Sequence, residues 1–186
     1  STNRVAMKID ASIDGSGGKN GSASDGIHAA SIDVAALDTT TIAAVNETAS
    51  LAACLSGELA VSIAIAVGLA ENEIRNEVTA GVSHVPDMTT TVGGMAVTAD
   101  ETSVIKAVSQ AASAAVGFGE ELSVSLSGAG ADATNIILGT VGATIEGSHL
   151  VSAADVTLTA TDSSTIDAKV AALSAAVRVT SAAETR

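Results

Sequence analysis

Along several segments of this chain, apolar or small residues alternate with polar ones at period two, which predicts strands with one face buried. Leu122-Ser-Val-Ser-Leu126 and Val156-Thr-Leu-Thr-Ala160 are the clearest of them. Val61-Ser-Ile-Ala-Ile-Ala-Val67 sets β-branched residues between Ser and Ala and reads as a strand covered on both sides, as in a parallel sheet. Clusters of Gly, Asn, Asp and Ser at 14–26, 83–87, 93–94 and 128–132 separate these runs and read as turns. The first cluster is the longest, so it is expected to be an inserted surface loop.

The pattern also repeats about every 63 residues. Asn3-Arg-Val-Ala-Met-Lys-Ile recurs in form at Asn72-Glu-Ile-Arg-Asn-Glu-Val and at Asn135-Ile-Ile-Leu-Gly-Thr-Val. Ile32-Asp-Val-Ala-Ala36 with Asp38 and Ile42 matches Met95-Ala-Val-Thr-Ala99 with Glu101 and Ile105, and Val156-Thr-Leu-Thr-Ala160 with Asp162 and Ile166. A third element, Glu58-Leu-Ala-Val-Ser-Ile63, returns as Glu121-Leu-Ser-Val-Ser-Leu126, and its next copy would open at Glu184. Several elements repeating in one order predict a single array, with repeats at about 3–71, 72–134 and 135–186, and a chain that is a slice of something longer.

The fold class expected is all-β: a parallel β-helix or β-solenoid of about three such repeats. The Ala-rich stretches after Ile42, Ile105 and Ile166 leave a second architecture open. Ile105, Ala107, Ser109 and Ala111 keep period two, with Lys106 and Gln110 on the other parity, as a strand would. Ile166, Val170, Leu173 and Val177 sit at helical spacing. Strand is the preferred reading, and a β-sheet array with Ala-rich helices packed on it is the alternative. A period near 63 likewise fits one wide coil or about three narrow ones near 21 residues each.

Composition narrows the function. Phe118 is the only aromatic, so the core must be built from Ala, Val, Ile, Leu, Ser and Gly, as stacked rows permit. Apolar residues form 47% of the chain and there is one proline, which argues against disorder. A net charge of −13 with eight scattered Lys and Arg argues against a phosphate-binding surface, so no nucleic-acid partner is expected. The longest apolar run, 59–70, is too short for a helix that spans a bilayer of about 30 Å. Cys54 is alone and reads as a small buried hydrophobe.

Stacked repeats would place equivalent residues in columns, roughly 4.8 Å apart per coil. In the one-coil case Asn3, Asn72 and Asn135 would form an amide ladder. Asp38, Glu101 and Asp162 would form an acidic column whose like charges repel by about 0.9 kcal/mol per pair even in bulk water. Outward-facing, solvated carboxylates are the expected relief, and calcium bridging them is the sharper alternative. The chain has no calcium-binding repeat or EF-hand loop, so no metal, cofactor or catalytic residue is assigned.

His28, His84 and His149 lack zinc spacing and read as polar loop residues. Asp14-Gly-Ser-Gly-Gly-Lys-Asn-Gly lacks the ending of a phosphate loop and reads as an irregular turn. A carbohydrate lyase or epimerase is disfavoured by one Phe and four separated arginines, Arg4, Arg75, Arg178 and Arg186. Ice or surface binding through Thr39–Thr41 and Thr89–Thr91 needs neighbouring coils to align the threonines.

Asn135 to Ser148, then Ala154-Asp-Val-Thr-Leu-Thr-Ala160 and Ser163-Ser-Thr-Ile166, resemble the Ala-, Val- and Gly-rich repeats of giant bacterial surface proteins of the filamentous-haemagglutinin and leukotoxin-like adhesin type. The resemblance implies a non-enzymatic extracellular or cell-surface stalk, a filament segment whose partners are neighbouring repeats of the same or identical chains.

Overall fold

The computed structural model describes residues 1–16 and 26–180, so most of the 14–26 cluster and the copy expected at Glu184 lie outside the described residues. Twelve parallel strands form four three-stranded sheets, and no helix occurs among the described residues. The chain crosses the four sheets in one order three times. The first pass is β1 (Thr2–Asp14), β2 (Ile27–Ala29), β3 (Ile32–Asp38) and β4 (Thr41–Ser56). The second is β5 (Leu59–Ser83), β6 (Met88–Thr90), β7 (Met95–Glu101) and β8 (Val104–Gly119), and the third β9 (Leu122–Glu146), β10 (Leu150–Val151), β11 (Val156–Asp162) and β12 (Thr165–Thr180). Sheets A, B, C and D are β1-β5-β9, β2-β6-β10, β3-β7-β11 and β4-β8-β12.

Each pass therefore uses the whole repeat once, and residues one whole repeat apart, not about 21 residues apart, are the ones that pair. The Ala-rich stretches are strands β4, β8 and β12, not helices: Ile42, Ile105 and Ile166 pair in register, and so do Ala44, Ala107 and Ala168. A helix would have lost this pairing along sixteen residues.

Two packing regimes share the interior. Beside sheets B and C the second half of β5 turns Val78, Ala80 and Val82 inward against Val34, Met88, Met95 and Val97. Ile42, Ile74 and Ile105 form a second cluster next to it. Between sheet D and the first half of sheet A the filling is small. Ala60, Ser62, Ala64, Ala66 and Ala70 meet Ala107, Ser109, Ala111, Ser113 and Ala115, and all of them are buried. Here the sheets come so close that hydroxyls bridge them: Ser109 Oγ donates to the Gly68 carbonyl at 3.1 Å, and Ser113 and Ser127 hydroxyls lie 2.9 Å apart. A Cβ on Gly68 would meet the Gln110 carbonyl oxygen at 3.0 Å, so the small residue is required by the approach of the facing strand.

Three expectations are corrected by this thin wing. Val61 to Val67 is not covered on both sides: Val61, Ile63, Ile65 and Val67 face out, and Ser62, Ala64 and Ala66 face in. In 122–126 it is Ser123 that is buried while Leu122, Val124 and Leu126 are exposed. Positions 128–132 form no turn but continue β9, because Gly128 to Asp132 pair with Ile65 to Leu69 of an uninterrupted neighbour.

The expected amide ladder is present. Asn3 Nδ2 donates to Asn72 Oδ1 and Asn72 Nδ2 to Asn135 Oδ1, both at 2.8 Å, with Asn72 fully buried. Breaking it removes two hydrogen bonds and strands an inward amide on each side. Asn72→Ala is expected to lower unfolding stability by about 2–4 kcal/mol at fixed protein concentration, read by urea denaturation; a loss under about 0.5 kcal/mol would mean that the ladder contributes nothing.

Candidate functional site

Strand register brings Asp38, Glu101 and Asp162 into one column at the corner where sheet C turns into sheet D. The column does not point outward as expected. Asp38 and Glu101 are buried, at 4% and 0% exposure, and only Asp162, on the last pass, is exposed. The physical reason lies two residues on, where each acid is followed by a hydroxyl that turns with it into the corner. Thr40 Oγ1 donates to Asp38 at 2.8 Å, Ser103 Oγ to Glu101 Oε1 at 2.7 Å, and Ser164 Oγ to Asp162 at 2.5 Å.

Asn76, on the inward row of β5, completes the first of these sites. Its amide nitrogen donates to Asp38 Oδ2 and lies 3.0 Å from Thr40 Oγ1, while its carbonyl accepts from the Met7 amide at 3.1 Å. One pass later the corresponding residue is Gly139, paired with Asn76 in the sheet, and no amide is there to donate. Glu101 is one methylene longer than Asp38 and its carboxylate fills the vacated space: a Cβ on Gly139 would meet Glu101 Oε2 at 2.3 Å. The shapes compensate, Asp with Asn and Glu with Gly. The hydrogen bonding does not, and Glu101 Oε2 is a buried oxygen without a hydrogen-bond partner among the described residues.

Burial therefore raises the pKa of Glu101, the Ser103 hydrogen bond opposes the shift, and the charges of Asp162 and Asp38 add to it. Among the described residues no group of three or more His, Cys, Asp or Glu side chains converges where a metal ion could sit.

Elsewhere the polar side chains tie passes together. Arg4 Nη2 meets Glu73 Oε2 at 2.6 Å, Arg75 reaches the other oxygen of the same carboxylate, and Lys8 pairs with Glu77 at 2.7 Å. The Arg75 hydrogen bond, with Arg4 beside it, holds Glu73 below the usual carboxylate range against the opposing effect of burial. His84 and His149 lie in corners, as expected of loop residues, but His28 is in strand β2. His84 adopts a left-handed φ of 53°, and Gly147, one pass later, adopts the same conformation at 57°. Cys54 sits half-buried on the inward row of β4.

The two threonine runs do not align. Thr39 and Thr40 occupy the corner between sheets C and D, while Thr89 pairs with His28 and Val151 in sheet B. Thr90 is buried and donates to the Gly93 carbonyl at 2.7 Å. Asn76 was missed by sequence reasoning, although the inward parity that runs from Asn72 through Ile74 to Val78 includes it.

With its pKa raised in the folded chain, Glu101 holds a proton more tightly in the native than in the unfolded state. The stability it contributes is full below the ordinary carboxylate range and is lost as pH rises through the raised value. Glu101→Gln keeps the shape without the charge and is expected to be about 1–3 kcal/mol more stable than wild type at pH 7.5. The difference should shrink as pH falls toward 4, measured by thermal denaturation of both proteins; a difference independent of pH would show that Glu101 is not the titrating group.

Compared with protein-family models, curated proteins and solved structures, the chain matches none of them.

Proposed function

We propose that this chain is a length of a β-solenoid shaft, a non-enzymatic structural segment of a large repetitive bacterial surface or secreted protein that stacks end to end on further passes of the same or identical chains. The observation that carries this reading is the register: thirteen residues of β1, all twenty-five of β5 and all sixteen of β8 pair in step with their counterparts one pass away. Side chains that need a partner find it in the equivalent or register-paired residue of the next pass, as Asn3, Arg4 and Lys8 do.

Proportions support the same reading. A 25-residue strand extends for about 80 Å, whereas three strands rise by only about 14 Å, so the stack is far wider than it is tall. Its largest unpaired surfaces are its two open ends, where β1 to β4 and β9 to β12 each present free strand edges. Such edges are satisfied by another pass in the same register.

Negative-stain electron microscopy with circular dichroism tests the proposal. The expected result is rods that lengthen with concentration, a β-dominated spectrum, and in aligned rods a reflection near 4.8 Å along the rod axis. Compact particles that stay monomeric at high concentration would overturn it.

A further inference from the structure

The corner between sheets C and D repeats one device with different parts on each pass. A carboxylate from one pass is met by the residue that the next pass places in the column of Met7, Asn76 and Gly139. Asp38, on the first pass, receives the amide of Asn76 from the second. Glu101, on the second, is longer and fills the space left open by Gly139 on the third. Asp162, on the third, holds the same place in the register and has the same attendant hydroxyl, that of Ser164. It faces the open β9–β12 end of the stack, where it is exposed.

The rest of that end is a core cut open. Val156, Leu158 and Ile166 lie on the inward row and are 43–48% exposed, whereas Met95, Val97 and Ile105, their counterparts one pass back, are at most 3% exposed. Sealing this end takes a further pass, and most columns do not discriminate between passes. Asparagine recurs at Asn3, Asn72 and Asn135, and aliphatic residues recur at Val5, Ile74 and Ile137 and at Ile9, Val78 and Val141. Any pass of this fold supplies them. The Asp162 column does discriminate. Aspartate is too short to fill the space opposite a glycine as Glu101 does. Ser164 donates twice to Asp162 Oδ1, from its amide and its hydroxyl, and among the described residues nothing donates to Oδ2, the oxygen that on Asp38 takes the Asn76 amide. A methionine in that column fills the space, but its thioether has no proton to give.

We infer that Asp162 is a recognition site for a side-chain amide, and that the pass which seats on the β9–β12 end is one with asparagine in the Asn76 column. The inference rests on the shaft reading given above and adds to it the chemistry of the incoming pass. It also ranks the chain's own first pass. Stacked in register on β9, the β1 strand of a second copy would set Met7 beside Gly139, in the relation that Asn76 has to Met7 within the chain. Met7 would then close Asp162 off from water and offer it no hydrogen bond, which costs a carboxylate more than a neutral group. Copies of this chain therefore join end to end less tightly than their backbone register allows, and Met7 is the residue that limits them.

The test is a dilution series of wild type, Met7→Asn, Asp162→Ala and the double variant Met7→Asn/Asp162→Ala, with rod length read in negative stain and the assembled fraction by sedimentation. Met7→Asn is expected to reach half assembly at a concentration at least about tenfold below that of wild type, the size of one hydrogen bond to a charged group. In the Asp162→Ala background the same substitution is expected to bring less than about twofold, as a coupling confined to this pair requires. Equal midpoints for wild type and Met7→Asn would overturn the inference and leave the shaft reading in place. So would a gain that survives undiminished in the Asp162→Ala background. Failure of both wild type and Met7→Asn to form rods at any concentration would overturn the shaft reading, and this inference with it. Should Met7→Asn lose the β spectrum of wild type, Met7→Ser, whose hydroxyl also donates, takes its place, with a shift expected in the same direction.

Discussion

Everything in this chain follows from one geometric constraint: a residue's nearest neighbours above and below are its own counterparts, one strand spacing away. Whatever chemistry a position carries, it must tolerate a copy of itself at about 4.8 Å. Amides do so well, because each is both donor and acceptor, and the Asn3–Asn72–Asn135 column uses both functions. Aliphatic residues do so without conflict, as the Ile42, Ile105 and Ile166 column illustrates. Carboxylates do so badly, and the Asp38, Glu101 and Asp162 column needs an attendant hydroxyl on every member.

The same constraint divides the cross-section. Where sheets A, B and C surround a core, Val, Ile and Met fill it and the outer surface is charged and ion-paired. Where sheets A and D close on one another, large side chains have no room and Ala, Ser and Gly take their places. Serine has a specific use there, since its hydroxyl reaches the backbone of the facing strand, as Ser125 does to the Val177 carbonyl at 2.7 Å. With small residues inside, the β-branched residues that favour strands can only stand outside.

Much of this was legible in the sequence. The period, the all-β class, the pairing of Ile32 with Met95 and Val156, and the asparagine ladder all follow from aligning the repeat with itself. Period two also identified the strands of the wing but assigned the wrong face to the core, because hydrophobicity alone takes Leu122 and Val124 to be inside. What decides between the faces is the distance to sheet D, a tertiary fact that no local pattern encodes. Gly128 to Asp132 were misread for a related reason: turn-forming composition yields to a neighbouring strand that offers continuous pairing. The burial of Asp38 and Glu101 was hidden because the hydroxyl two residues on that makes it tolerable looks like ordinary loop composition.

The asparagine column has one more property. Each amide that bonds to the next donates in the same sense, from the first pass toward the third, and among the described residues the Asn135 amide nitrogen donates to the Ala133 carbonyl of its own strand at 3.5 Å. The column is thus a vector: one terminus of the stack presents an amide oxygen and the other an amide N–H. Two identical termini brought together would set oxygen against oxygen or N–H against N–H, whereas unlike termini meet as donor and acceptor. A row of three side chains gives the stack of strands a front and a back.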